Sequence, residues 1–318
     1  MDAHYVLTPA GSDARAVATL WWGFLITATV VYVVVTAALW AAIQKARRGR
    51  AAATDDARTD ARSRLVVGGA MAATVLVLSG MLVSDLLMGK AVLGEREPAG
   101  DPVRIRVTAQ QFWWQLEYPD AVPDRQVVAA NELVVPVDRP IELELQSRDV
   151  IHSFWLPALA GKKDLIPGIT NTLRFSVDRP GRYEGQCAEF CGYQHSNMRT
   201  LLTAVSGRDF EAWKAHQREQ GRLPETPEEQ RGRQVFETST CGLCHSVRGT
   251  AASASVAPDL THFGSRPRIA ASPMPNTPGF LAAWISSPQQ LKPGTNMPGT
   301  SLPPDDLQAL VAYLGSLK

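Results

Sequence analysis

From Ala16 to Ile43 the chain carries no charged residue, and the centre of this run reads FLITATVVYVVVTAALW. A second uncharged run extends from Leu65 to Ser84 and ends at Asp85. A hydrocarbon core is crossed by roughly 20 apolar residues in a helix, so the pattern predicts two transmembrane helices, residues 16–43 and 65–84. Trp21, Trp22 and Trp40 fall near the ends of the first run, where indole rings favour the membrane interface. That run is too long for a signal peptide, and no basic stretch precedes it. Beyond Gly100 the pattern shortens: VRIRVTAQQFWWQLEY, VVAANELVVPV, IELELQS, NTLRFSV and LLTAV alternate or cluster β-branched residues between Pro, Gly and Asp turns. Five to seven strands are expected there, as an all-β sandwich or small barrel. After Val205 it turns helical. SGRDFEAWKAHQREQG reads as a short helix, LPETPEEQ as a linker, and PDDLQALVAYL as a terminal amphipathic helix. The expected organisation is a membrane hairpin (1–90), a β domain (91–205), a helix and linker (206–228) and a helical domain (229–318).

Charge adds direction to the hairpin. Over the whole chain 32 basic residues face 31 acidic ones, a balance without the bias of a nucleic-acid binder. An apolar content of 45% excludes disorder, and the mean hydropathy of −0.09 averages the two apolar runs with a polar remainder. Between the runs lie Lys45, Arg47, Arg48, Arg50, Arg58, Arg62 and Arg64 against Asp55, Asp56 and Asp60, whereas the segment before the first run has only Arg15. Basic residues stay cytoplasmic, so both termini and everything after residue 90 are expected on the periplasmic side of a bacterial plasma membrane.

The four cysteines fall in two pairs. Cys187 and Cys191 sit in QCAEFCGYQHSNM, with His195 and Met198 close behind, and His152 lies about 35 residues upstream in DVIHSFWLP. Thiolates, imidazoles and a thioether select copper, zinc or iron–sulfur. The thioether argues against structural zinc, and a spacing of four differs from the C-x-x-C knuckle. Two sulfurs on one tight loop can bridge the same pair of metals. A Cys187–Cys191 disulfide suits an oxidising compartment but leaves His152, His195 and Met198 without a role.

The run from Asp149 to Met198 resembles the binuclear copper domain of cytochrome c oxidase subunit II, and the resemblance extends over about residues 15–206, including KDLIPG at 163–168. It implies a cupredoxin-like fold with Cys187 and Cys191 as bridging ligands and His152 and His195 as terminal ones. Met198 would be the weak axial ligand of one copper, and the Glu189 carbonyl would serve the other. The Glu189 side chain would help hold a magnesium ion at the contact with subunit I. Two departures stand out. The family's aromatic run begins Trp-Tyr-Trp, its first Trp receiving electrons from cytochrome c. Here Gln111-Phe112-Trp113-Trp114 puts Phe at that place, leaving Trp113 as a substitute candidate and packing as the ordinary role of such residues. The family's glutamate at a proton entrance near the second helix is replaced by Asp60-Ala-Arg-Ser-Arg64, where Asp60 reads as a solvated loop residue.

The second cysteine pair belongs to Cys241-Gly-Leu-Cys244-His245. C-x-x-C-H is the attachment motif of c-type haem, both thiols adding to the vinyl groups and the histidine ligating the iron; the βαβ setting of a thioredoxin-like C-x-x-C is absent. Met297, in GTNMPG ahead of the terminal helix, is the expected second axial ligand, since Met-Pro there resembles class I cytochromes c; Met274 is the competitor. His/Met ligation raises the haem potential. Phe236 and Tyr313 read as a helix–helix contact, and Pro258 as the acceptor of the His245 ring N–H. His4, His216 and His262 read as surface or loop residues.

The whole chain resembles subunit II of a caa-type oxidase, with a class I cytochrome c domain behind the copper domain. Electrons would pass from a donor to haem c, then to the copper pair, then to subunit I, where oxygen becomes water with proton translocation. Subunit III is a further expected partner, and nucleic acid is not. A copper-containing subunit of a nitric oxide reductase can use the same domain. A copper-delivery or redox-sensing protein would instead expose Met and His around one exchangeable Cu(I).

Overall fold

Residues with high helix propensity flank both apolar runs, and the helices continue through them. The computed structural model describes residues 6–48, 57–93, 100–272 and 274–318, the side chains of 57–60 and 90–93 excepted. Helix α1 spans Ser12–Arg48 and α2 spans Ala57–Leu93, so each exceeds the apolar stretch that marked it. Asp60 falls within the helical range of α2, not in a loop, and its side chain lies outside the described ones. The apolar side chains of both helices are largely exposed, Leu65 and Leu76 each above 70%, as helices solvated by lipid require. Their threonine hydroxyls donate to carbonyls one turn back, Thr27 to Gly23 and Thr36 to Tyr32.

Among the described residues the β domain holds ten strands, more than the five to seven expected. Its first sheet runs in the order β3 (Val127–Ala130), β2 (Trp113–Tyr118), β1 (Val103–Gln110), β5 (Pro140–Ser147), β8 (Asn171–Ser176). The second runs β4 (Glu132–Pro136), β10 (Arg199–Val205), β9 (Gly181–Cys187), β6 (His152–Trp155), β7 (Lys163–Leu165). The excess comes from breaks inside continuous β-rich stretches. Gln111 and Phe112 turn the first into a hairpin. Asn131, at φ 64°, ends β3 and sends the chain to the other sheet as β4. Asn tolerates this left-handed conformation, and its Oδ1 accepts the Trp114 backbone N–H at 2.9 Å. β7 and β9 carry too few apolar residues to announce themselves. On β5 the period of two is explicit: Ile141, Leu143 and Leu145 are buried, while Glu142 meets Arg174 and Arg104 outside. The inner faces close over Trp114, Phe154, Leu116, Leu133 and Leu156, all fully buried.

Ser206 caps α3 (Gly207–Gln217) by accepting from Asp209 N–H. The expected linker is partly helix. Thr226 and Glu229 form a capping box that starts α4 (Pro227–Thr238) inside it. The helical domain continues with α5 (Pro278–Ser286), the short α6 (Pro288–Leu291) and α7 (Pro304–Ser316). Phe236 of α4 meets Tyr313 of α7 with ring centroids 6.1 Å apart, as the sequence suggested.

Candidate metal and haem sites

β6 and β9 are hydrogen-bonded neighbours, with Phe154 opposite Cys187. This pairing brings His152, at the start of one strand, to Cys187, at the end of the other. The loop that follows, tightened by Gly192 at φ 123° and a helical turn at His195–Asn197, returns Cys191, His195 and Met198 to the same spot. The two sulfurs of Cys187 and Cys191 lie 3.8 Å apart and both thiols are free, nearly twice a disulfide's ~2.05 Å bond. His152 Nδ1 is 3.9 Å from Cys187 Sγ, His195 Nδ1 is 3.8 Å from Cys191 Sγ, and Met198 Sδ is 3.9 Å from Cys191 Sγ. The Glu189 carbonyl stands 3.2 Å from Cys187 Sγ, and its half-exposed carboxylate lies 3.9 Å from Lys162 Nζ. His152, Cys187, Cys191 and Met198 are buried. All six expected donors thus converge. A buried set of soft sulfurs and imidazoles suits a permanently held copper centre, and burial separates it from the exposed ligands of a delivery protein.

The electrostatics are those of a thiol pair that gives up one of its two protons readily. Contact with Cys191 holds the Cys187 thiol far below its usual range, while the same contact and burial push Cys191 up, so the pair shares one proton. Burial opposes charge on His152, but Asp149, 2.8 Å from Nε2, and Cys187 outweigh it and raise its pKa. Burial likewise opposes the Asp149 carboxylate, yet hydrogen bonds from His152 and from the Gln111 and Val150 N–H groups draw it down. With Nε2 bound to Asp149, His152 keeps Nδ1 toward the sulfur, the orientation that an outer carboxylate imposes on a ligating imidazole.

In the helical domain Cys241, Cys244 and His245 line a cavity of about 300 Å³ together with Met297, Phe263, Trp284 and Ile269. The His245 Nδ1–H donates to the Pro258 carbonyl at 2.7 Å, leaving the lone pair on Nε2 for a metal. Burial lowers the His245 pKa, which keeps the ring neutral for ligation. Met274 does not line this cavity; it packs on the domain core, and its carbonyl accepts the Ile269 N–H. Arg199 Nε and Gln110 Nε2 border the cavity and are buried without a hydrogen-bond partner among the described residues. Two cysteines, a neutral imidazole, a thioether, an apolar wall and spare donors for an anionic group fit a covalently held haem.

Both domains build that cavity: Gln110, Gln111, Phe112, Trp113, Glu132 and Arg199 come from the β domain. Trp113, the candidate electron port, is half-buried in this wall. Lys292, which nothing in its sequence context marks, is buried and donates from Nζ to three carbonyls: Ala270 at 2.6 Å, Phe112 at 2.8 Å and Asn197 at 3.0 Å. Two of them belong to the β domain and one to its own. His216 and His262, read from the sequence as surface or loop residues, stand half-exposed on α3 and buried in a turn. Their rings lie 4.4 Å apart, His216 contacts Glu219 at 3.1 Å, and His262 is buried. They join α3 to the helical domain, a tertiary contact between residues 46 positions apart. His4 lies outside the described residues.

Comparison with known proteins follows this geometry. Residues 121–205 match the family profile "Cytochrome C oxidase subunit II, periplasmic domain", and residues 229–318 match "Cytochrome c". The chain is 38% identical over 248 residues to cytochrome c oxidase subunit 2 of Alkalihalophilus pseudofirmus, covering 76% of this chain and 70% of that protein. It is 32% identical over 231 residues to the Bacillus subtilis protein of the same name, covering 69% and 64%. Among solved structures, the periplasmic domain of subunit II of cytochrome oxidase from Bradyrhizobium japonicum is similar at 32% identity and a TM-score of 0.34, over 36% of this chain and 91% of that one. An identity of 38% that runs through 70% of a named relative, with a cytochrome c match following the subunit II match along this chain, means that this chain belongs to the cytochrome c oxidase subunit 2 family, in the form that carries a cytochrome c behind the copper domain.

Proposed function

We propose that Cys187, Cys191, His152, His195, Met198 and the Glu189 carbonyl hold two copper ions, and that Cys241, Cys244, His245 and Met297 hold one haem c. The family makes the chain an electron-transfer subunit of a haem–copper oxidase and a partner of its subunit I, anchored in the membrane with a periplasmic domain. The observation that carries the ligand assignment is the convergence of six donors from two separated stretches around a 3.8 Å pair of free thiols. When bound, the copper pair supplies one-electron redox chemistry with the charge spread over two ions, and the haem supplies the matching step.

The protein's own part is to hold these donors rigid. β6 and β9 fix His152 and Cys187, Asp149 orients the imidazole, and burial of Cys187, Cys191 and Met198 keeps water from the sulfurs. Pro258 sets the His245 tautomer. Glu189, partly exposed beside Lys162, is the proposed magnesium residue at the contact with subunit I. Electrons arrive from an external donor at the haem, and subunit III completes the complex. Both termini lie on the periplasmic side. Supporting this, the segment before α1 is bound to the β domain: the Ala10 N–H donates to Ala158 O at 2.8 Å, and Ala10 O accepts from Asp178 N–H at 3.0 Å.

Metal and haem analysis of the purified chain, with optical and electron paramagnetic resonance spectra, tests the assignment. Two coppers sharing one unpaired electron and one covalent haem per chain are expected, with Cys187→Ser or Cys191→Ser abolishing the shared signal. Zinc, or a single exchangeable copper, would refute it.

A further inference from the structure

Gln111 lies in the turn between β1 and β2, and three of its polar groups go to three different places. Its carbonyl accepts a hydrogen bond from Asn296 Nδ2 at 3.1 Å; Asn296 precedes Met297. Its side-chain Nε2 donates to the Cys191 carbonyl at 2.6 Å. Its backbone N–H donates to Asp149 Oδ2 at 2.6 Å, and Asp149 Oδ1 is 2.8 Å from His152 Nε2. One residue therefore touches the proposed haem-ligand loop, a bridging copper ligand and the carboxylate behind a terminal copper ligand.

We infer that Gln111 is the coupling residue between the two redox modules, the link through which an electron passes from the Met297 loop to the copper loop. This rests on the assignment of Met297, Cys191 and His152 made above. Electron tunnelling decays less steeply through covalent and hydrogen bonds than across gaps, so a short bonded route dominates where one exists. From the Met297 backbone one hydrogen bond reaches Gln111. A second reaches Cys191, and a parallel branch through Asp149 reaches His152. Each transfer moves one electron from the haem iron to the copper pair, with no covalent bond made or broken and no proton displaced.

Such a route works only if the modules are held in register, and the surrounding contacts do this. Lys292 Nζ binds carbonyls of both modules. Gln194 Nε2 donates to the Pro293 carbonyl at 2.9 Å. Gly192 clears the space the amide occupies: a Cβ there would stand 3.0 Å from Gln111 Nε2.

The test uses the full-length chain loaded with copper and haem. Haem-to-copper electron transfer is timed after one-electron photoreduction in the parent, Asn296→Leu, Gln111→Leu and the double variant. Spectra and potentials of both centres, and hydrogen exchange across residues 292–297, are measured alongside. Asn296→Leu breaks the shared link and should slow transfer severalfold with spectra and potentials unchanged. Gln111→Leu leaves the Asp149 branch and should slow it less. The double variant should be no slower than Asn296→Leu, since both lesions lie on one route. Asn296 belongs to the haem module, so its variant carries the test even where Gln111→Leu loads copper poorly. Unchanged rates in Asn296→Leu with intact spectra overturn the coupling. So does a double variant whose losses multiply, as independent lesions do. A parent chain without paired copper or covalent haem overturns the site assignment, and the coupling with it.

Discussion

Lys292 and Glu132 are two charged side chains whose environment is set entirely by residues far away in sequence. Burial pushes the Lys292 ammonium down to about 7, against the field of Cys191, while three carbonyls take its hydrogens. Lys292→Met preserves the length of the stem but leaves three carbonyls without a donor. A buried polar group left unsatisfied costs about 1–3 kcal/mol, so docking of the helical domain should weaken by that order. Urea unfolding, and faster hydrogen exchange in residues 292–297, would register it. Glu132, on β4 in the wall of the haem cavity, has a carboxyl pushed up to about 7, first by burial and against the opposing charges of Arg266, Arg182 and Arg268. Its folded pKa is above its unfolded one, so between pH 4.5 and about 7 the folded state holds the extra proton and stability falls as pH rises. The favourable contribution is present in full below that window and lost above it. Glu132→Gln should therefore be more stable than the parent at pH 8, by on the order of 3 kcal/mol, and nearly indistinguishable from it at pH 4.5. Thermal unfolding at the two pH values gives the comparison, and an unchanged difference between them would refute the argument.

Helix α4 crosses α7 at a glycine. A Cβ on Gly232 would stand 2.0 Å from the Ala309 carbonyl oxygen, so the two backbones meet at a distance no other residue allows. Gly315, on α7, has nothing within 4 Å of the same atom. Gly232→Ala should cost about 1–3 kcal/mol through forced separation of the helices. Gly315→Ala should be neutral or stabilising by up to about 1 kcal/mol, through helix propensity alone. Calorimetry of the two variants should separate them clearly, and equal behaviour would mean that the crossing tolerates repacking. The start of α4 makes a companion case, because Thr226 and Glu229 cap each other. Thr226→Ala should lower stability by about 0.5–2 kcal/mol. The motif T-P-E-E was visible in the sequence, yet its proline and acids read equally well as linker. What turned it into a helix start is the packing of α4 on α7. The strands split the same way. β5 was legible because its apolar positions alternate without interruption. The break at Asn131 was hidden within a continuous β-rich stretch, because one left-handed residue changes sheet without changing composition.

Across the whole molecule, the haem module closes over the face of the β domain that carries Phe112 and Trp113. A donor held on the same chain acts at an effective concentration on the order of millimolar, which lessens the need for a docking port on the copper domain. Oxidase assembled with a chain lacking residues 222–318 should lose most of its turnover with a soluble cytochrome c. Full turnover from that truncation would show that the copper domain still receives electrons directly. The two membrane helices, the order of modules, the C-x-x-C-H motif and the Cys/His/Met spacing could all be read without a structure, because each depends on residue types at fixed local separations. Hydropathy, covalent attachment and soft-ligand chemistry act over a few residues or one turn. The packing of both domains around one cavity, the pairing of His216 with His262 and the triple contact of Lys292 were decided only by the tertiary structure. Each joins segments whose separation along the chain carries no periodic signal, and each depends on which strands pair and which faces are buried. Gln111 shows the division most plainly: its identity is one letter in an aromatic run, and its role follows from three hydrogen bonds to residues 38, 80 and 185 positions away.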